Sequence, residues 1–326
     1  MSILDPYGRR INYLRLSVTG RCDLRCGYCR PHGTGSRAAS REILSDEEIL
    51  LVARTAVGLG IEKIRITGGE PLLRTGILPL LSRLARIPGL VKLVLTTNGL
   101  RLAESAPGLR EAGVESVNVS LDSLRADRFA RITGGGDLRK VLAGIEKAQG
   151  CGFHRVKINT VVMRGINEDE IEEFAALTLD RPVRVRFIEY MPAASGACPR
   201  GITVPGEEIL ERLSRRCRLR PLQKEELEGP ARYYRIEGAR GAVGVITPVS
   251  CHFCEDCNRI RVASSGIAMG CLFSRQDTDL KPFLRAGDRK GLRRALREVV
   301  RRKPGRHPLS PEGSGAEPFA MSAVGG

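Results

Sequence analysis

Tryptophan is absent from this sequence, aromatic residues make up only 4%, and histidine occurs four times in 326 residues. So sparse an aromatic content leaves few platforms on which the bases of a single-stranded nucleic acid could stack. Long apolar runs are missing too, since charge interrupts each well before the ~18 residues that a membrane span needs. The opening residues, with Asp5, Arg9 and Arg10 among them, contain no apolar core of a secretory signal. A soluble, cytoplasmic protein without membrane contact and with reduced thiols is therefore expected. There is no Gly-x4-Gly-Lys-Ser/Thr loop to cradle phosphates with backbone amides. Any polyphosphate ligand must then be held by cationic side chains, and Arg suits this because its planar fork pairs bidentately with phosphate oxygens.

Cations and cysteines are what the sequence does have: the formal net charge is +16 and there are 10 Cys. The positive charge is spread from Arg9 to Arg306, with Arg far outnumbering Lys. That dispersal argues against a stable nucleic-acid footprint, which clusters its cations to displace counterions. The one dense run, residues 289–306, reads as the solvated face of a helix.

Short β-branched runs at residues 13–18, 63–67, 92–97, 116–121, 155–162 and 183–190 alternate with helical stretches near 45–60, 75–86, 101–112, 138–149 and 168–179. Ser45 followed by Glu48 forms a capping box at the start of the first helix. Strict alternation of strand and helix implies crossovers and a parallel sheet. Six units fall short of the eight of a closed barrel, so the fold class expected is α/β, a partial (β/α)6 TIM-like barrel over residues 1–200. After Met191, Pro and Gly punctuation, a helix near 207–217, a strand pair at 233–236 and 242–246 and a basic helix near 290–302 mark a C-terminal α+β domain, 201–326. Chemistry is expected at the C-terminal ends of the parallel strands.

Cys22, Cys26 and Cys29 form C-x3-C-x2-C just after the first strand, and Cys254, Cys257 and Cys271 form C-x2-C-x13-C in the second domain. Three thiolates can wrap a compact soft-metal centre yet leave a four-iron cluster one ligand short, which frees one iron to bind a small molecule. A zinc site is the alternative at each trio, completed by His32 at the first or by Cys251 or His252 at the second. Cys151, Cys198 and Cys217 stand alone and read as bystanders. Arg15, Arg65 and Lys157 lie inside apolar strands, where a cation is costly to bury unless it faces a ligand or a partner.

The run Arg21-Cys22-Asp23-Leu24-Arg25-Cys26-Gly27-Tyr28-Cys29, followed by Thr67-Gly68-Gly69-Glu70-Pro71, resembles the signature segments of radical S-adenosylmethionine enzymes. Phe253-Cys254-Glu255-Asp256-Cys257-Asn258-Arg259-Ile260-Arg261, Gly270-Cys271-Leu272-Phe273 and a closing Gly325-Gly326 are similar to the GTP 3′,8-cyclase family of molybdenum-cofactor biosynthesis. So are Thr96-Thr97-Asn98-Gly99, Val117-Asn118-Val119-Ser120-Leu121-Asp122 and Ile188-Glu189-Tyr190-Met191-Pro192. This resemblance implies two [4Fe-4S] clusters on the two trios and cleavage of S-adenosyl-L-methionine at the first, giving a 5′-deoxyadenosyl radical. That radical would take a hydrogen atom from the ribose 3′ carbon of GTP, and the 3′ carbon would attack guanine carbon 8. By the same resemblance Tyr28, Gly69, Ser120 and Met191 contact S-adenosylmethionine, while Arg15, Arg65, Thr96, Lys157, Arg259, Ile260 and Arg261 contact GTP. The partners implied are GTP, an electron donor such as flavodoxin or ferredoxin, and a downstream cyclic pyranopterin monophosphate synthase; a homodimer is allowed for. The nearest rival reading is a peptide-modifying radical enzyme with an auxiliary cluster, and a remoter one is a non-catalytic, cluster-bearing nucleic-acid-binding protein.

Overall fold

The computed structural model describes residues 3–29, 42–191, 201–273, 277–307 and 321. His32, the loop 33–40, Cys198, Gly325 and Gly326 lie outside the described residues. A short antiparallel ribbon, β1 (Ile3–Leu4) and β2 (Arg10–Ile11), leads into β3 (Tyr13–Ser17). There follow α1 (Asp46–Val57), β4 (Lys63–Thr67), α2 (Ile77–Ala85), β5 (Lys92–Thr97), α3 (Leu102–Glu111) and β6 (Ser116–Ser120). The series continues with α4 (Ala126–Thr133), α5 (Leu138–Gly150), β7 (Lys157–Val162), α6 (Ile171–Asp180) and β8 (Arg184–Glu189). Beyond these come α7 (Gly206–Ser214), β9 (Leu219–Pro221), β10 (Arg232–Ile236), β11 (Ala242–Ile246), β12 (Arg259–Val262), β13 (Ile267–Met269), β14 (Thr278–Asp279), α8 (Lys281–Arg285) and α9 (Arg289–Arg301).

Strands β3 to β8 pair in parallel and in chain order, each crossover carrying at least one helix. The later region does not build a sheet of its own. Its β12 joins the free edge of β3 in parallel, with Arg261 opposite Arg15, and its β11 joins β8 in parallel at the other edge. Antiparallel β13 and β14 extend one side and β10 and β9 the other, giving a continuous sheet of 12 strands. Residues of all eight parallel strands border a single cavity. Strands spaced ~4.8 Å apart reach a common cavity only if the sheet curves around it, so the open sheet is a partial barrel.

Alternation along each strand sorts the side chains into two sets. Leu14 and Leu16, Ile64 and Ile66, Val117 and Val119, Val185 and Phe187, and Ile260 and Val262 point outward and are buried in the hydrophobic core with the helices. Their neighbours Arg15, Arg65, Ser120, Arg186, Arg259 and Arg261 point into the cavity. Helix α1 starts as the sequence indicates: Ser45 Oγ accepts from the Glu48 amide at 3.2 Å, and the Glu48 carboxylate accepts from the Ser45 amide at 2.7 Å. Helix α9 buries Leu292, Leu296, Val299 and Val300 and leaves Arg289, Lys290, Arg294, Arg297, Arg301 and Arg302 exposed. The basic run is therefore the outer face of an amphipathic helix. At the end of β8 the fully buried Glu189 carboxylate accepts from the amides of Gly206, Val249 and Ser250 at 2.8 to 2.9 Å, tying the later region to the barrel.

Candidate functional site

The loop after β3 brings Cys22, Cys26 and Cys29 to the cavity at the C-terminal ends of the strands. Arg25 donates its amide to the Thr133 carbonyl at 2.8 Å, which fastens the loop to the end of α4. Tyr28 donates its hydroxyl to Asp122 at 2.7 Å, and the other Asp122 oxygen accepts from the Val161 amide at 2.8 Å. Burial pushes Asp122 up to about 6, against the pull of those two donors. Cys26 is raised well above the usual thiol range, first by burial, then by Asp122 and the two neighbouring thiols. Thiols that cannot share a site as free anions are stabilised there by a metal centre, which binds them as thiolates.

Gly68 and Gly69 are needed here because two stretches of backbone meet at them. A Cβ on Gly69 would lie 2.1 Å from the Arg21 carbonyl oxygen, and one on Gly68 would lie 2.6 Å from that of Thr19. The end of β4 is pressed against the cysteine loop, with Gly69 and Glu70 donating amides to Thr19 and Arg21 at 2.7 Å. Glu70 itself faces away from solvent and is occupied: it accepts from the Thr97 hydroxyl and the amides of Asn98 and Leu72. Burial nonetheless raises it to about 7. Tyr28, Gly69, Ser120 and Met191, the four residues expected around S-adenosylmethionine, all border the same cavity as the first trio.

Across that cavity stand Cys254, Cys257 and Cys271. Burial alone would raise the Cys257 thiol, but Arg259 and Lys303 draw it down to about 6. Cys251 is exposed and absent from the lining, whereas His307 borders it and stacks on His252 with ring centroids 4.2 Å apart. Among the described residues, the donor atoms of His252, Cys254 and His307, within 4.8 Å of one another, are the set close enough for a single ion. Neither cysteine trio forms so tight a group among the described residues.

Between the trios the wall is cationic. Arg15, Arg65, Arg186, Arg259 and Arg261 all project there. Arg15 is lowered by burial and then by Arg261, Arg186 by burial, and Arg261 to about 10 by burial and then by Arg259. Burial would raise Tyr13, yet Arg65, Lys63, Arg15 and Arg259 together bring it to about 7. Such crowding of like charges favours an anion in the cavity. Arg65 is aimed by its Nε bond to the Tyr13 hydroxyl and by Thr96, whose hydroxyl accepts from it at 3.0 Å. The Asn118 amide oxygen accepts from both Arg65 and Arg186. Two buried atoms bordering this space, Arg186 Nε and Asn159 Oδ1, have no hydrogen-bond partner among the described residues. Buried polar atoms are rarely left so, and both are positioned to engage a polar ligand.

Two expected GTP contacts are placed differently from the rest, although Arg65 borders both the cavity and the pocket of Lys157. Lys157 opens β7 and borders a second pocket at the opposite, N-terminal mouth, together with Lys63, Arg65 and Asn118. It lies 3.4 Å from Glu228. Ile260 has its side chain in the hydrophobic core, so only its backbone can meet a ligand. Lys63, Tyr13 and Arg186 are not among the contacts expected from the sequence. Lys63 and Tyr13 stand two positions before Arg65 and Arg15, on the same strand faces, which is the periodicity that could have revealed them. Cys151 and Cys217 pack against the hydrophobic core, as isolated thiols do.

Residues 16–178 match the model of the Radical SAM superfamily, and residues 183–309 match that of Molybdenum Cofactor Synthesis C. The GTP 3′,8-cyclase of Geobacter sulfurreducens is 55% identical over 326 residues, 100% of both chains. That of Pelotomaculum thermopropionicum is 48% identical over 93% of this chain and 94% of its own. Among solved structures, Streptococcus suis SuiB bound to S-adenosylmethionine superposes with a TM-score of 0.61 at 14% identity, covering 91% of this chain and 66% of that one. A likeness at that identity speaks for the shared fold alone. With full-length identity at this level, the chain belongs to the GTP 3′,8-cyclase family of the Radical SAM superfamily.

Proposed function

We propose that this chain is the GTP 3′,8-cyclase that opens molybdenum-cofactor biosynthesis, joining the ribose 3′ carbon of GTP to guanine carbon 8. The product is (8S)-3′,8-cyclo-7,8-dihydroguanosine 5′-triphosphate. One observation carries the assignment of residues: both thiol trios, the S-adenosylmethionine-matching positions and six arginines border one cavity. Two [4Fe-4S] clusters held by these trios would supply, at the first, the electron for cleaving S-adenosylmethionine to a 5′-deoxyadenosyl radical and, at the second, a coordination position for guanine.

Cys22, Cys26 and Cys29 would hold the radical-generating cluster and Cys254, Cys257 and Cys271 the second. Asp122 fixes Tyr28 and with it the loop between two of the first cluster's ligands. Tyr28, Gly69, Ser120 and Met191 would seat S-adenosylmethionine at the strand ends. Arg15, Arg259 and Arg261 would neutralise the triphosphate, with Arg65 and Thr96 below them, while Arg186, Lys63 and Lys157 continue the positive lining toward the other mouth. Residues 1–200 would carry radical generation, and 201–326 the second cluster and much of the nucleotide grip. An electron donor such as flavodoxin or ferredoxin, and cyclic pyranopterin monophosphate synthase as consumer of the product, complete the proposed setting. Among the described residues no helix is long and apolar enough to cross a membrane, and we place the enzyme in the cytoplasm.

Replacing Arg261 by Ala should weaken GTP binding by roughly 1.5–3 kcal/mol, the value of a hydrogen bond to a charged group. Calorimetric titration of the anaerobic protein measures it, and unchanged affinity would move the triphosphate elsewhere. Lys157 gives a pH signature. Burial and Arg186 hold it at about 6, with Glu228 pulling the other way, so it is mostly neutral in the free protein at pH 7. A bound triphosphate favours the ammonium and raises its pKa, so binding takes up a proton. Affinity for GTP should therefore fall as pH rises above about 6. Binding enthalpies compared in buffers of different ionisation enthalpy would detect that proton, and Lys157→Met should remove it.

A further inference from the structure

Lys303 follows α9 and is only 3% exposed. Its Nζ donates to Cys257 Sγ at 3.2 Å and to the Gly270 carbonyl at 2.8 Å. Gly270 directly precedes Cys271, so this one ammonium bridges the two segments that present two of the three thiols. A Cβ on Gly270 would stand 3.0 Å from the Lys303 Cα, which shows how closely the segments pack. The same stretch reaches the third thiol, because the His307 amide donates to Cys254 Sγ. Arg9 locks the stretch in place: its guanidinium donates to the carbonyls of Pro304 at 2.7 Å, Gly305 at 3.1 Å and Cys254 at 2.6 Å, while Asp5 holds its Nε.

A buried ammonium is costly unless an anion faces it. Among the described residues Lys303 forms no ion pair with a carboxylate; it donates to a sulfur and a carbonyl. The anion it answers is therefore the Cys257 thiolate and whatever negative charge that sulfur shares. Hydrogen bonds to ligand sulfurs are among the levers by which a protein sets the potential of an iron-sulfur cluster, and a charge-assisted one is among the strongest.

We propose that Lys303 is a positioning residue for the second cluster, whose ammonium, donated to Cys257, stabilises added negative charge there and raises the cluster's reduction potential. The inference rests on the assignment of Cys254, Cys257 and Cys271 as that cluster's ligands. The backbone cap from His307 and the Arg259 guanidinium, 3.8 Å from the same sulfur, act in the same direction.

The test uses the full chain with Cys22, Cys26 and Cys29 replaced by Ala, so that a single cluster is observed, and titrates its reduction by electron paramagnetic resonance. Into this parent go K303M and K303Q, which remove the charge, and K303R, which keeps it. The two neutral variants should shift the reduced-to-oxidised ratio at fixed potential by tenfold or more toward the oxidised form, 59 mV for one electron. K303R should stay much closer to the parent. Potentials that ignore K303M and K303Q, or that shift equally in all three, would overturn the inference. Should K303M load poorly, iron lost from the neutral variants but kept by K303R supports it, and equal loss in all three refutes it. A parent that binds no iron would remove the second cluster itself, a separate failure that removes the ligand assignment and this inference with it.

Discussion

Cys254→Ala is expected to leave 5′-deoxyadenosine formation measurable while cyclised nucleotide falls by at least about 100-fold, whereas Cys22→Ala takes both to background. The asymmetry follows from the layout. The first trio and the four positions matched to S-adenosylmethionine sit together at the ends of β3, β4, β6 and β8, and the Cys22 loop is held by Thr133, Asp122 and the end of β4. Radical generation therefore has its own scaffold. The second trio stands across the cavity beside Arg259, so its loss misplaces the nucleotide without removing the cofactor seat. Quantifying the two products separately in one anaerobic assay makes the distinction. Full cyclisation by the Cys254 variant would end the idea that guanine is held at a second cluster.

Gly69→Ala should be nearly as damaging, although it removes no ligand. The added Cβ would meet the Arg21 carbonyl at 2.1 Å and the Gly20 oxygen at 2.9 Å, and backbone cannot swing aside as a flexible side chain can. Either β4 or the cysteine loop must shift. A cost of about 3 kcal/mol is expected, at the upper end for overpacking a tight site. Denaturant unfolding reads the stability loss, and the iron content should drop by the share belonging to the first cluster while the second is retained. A fully loaded, equally stable variant would mean that the close approach of these segments is not what the glycine provides.

The parallel strands were legible because apolar residues recur along them; β4 and β5 begin and end where the sequence indicates. Strand β12 was not. Arg259 to Val262 is four residues with two cations, too short and too polar to read as a strand, and its partner β3 lies more than two hundred positions earlier. Local periodicity carries no information about such pairing. Helix α4 escaped for a related reason: Ala126 to Thr133 buries little beyond Phe129 and Thr133, so its apolar stripe is thin. In the site, the thiols announced themselves by spacing, which chain geometry alone makes meaningful. Asp122, Arg186 and Lys303 act through partners on other elements, at 2.7 Å from Tyr28, against Asn118 and 3.2 Å from Cys257, and only the folded register brings those pairs together. Lys157 shows the limit from the other side. Its place inside a strand was read correctly, but which mouth of the barrel it faces depends on where β7 starts.

Metal analysis after anaerobic reconstitution probes the account most directly, in the wild type and in two variants that each replace one thiol trio by Ala. Two four-iron centres predict about eight irons per wild-type chain and about four in each variant, with negligible zinc. One centre's worth of iron in the wild type, or a stoichiometric zinc ion retained at Cys254, Cys257 and Cys271, would contradict it.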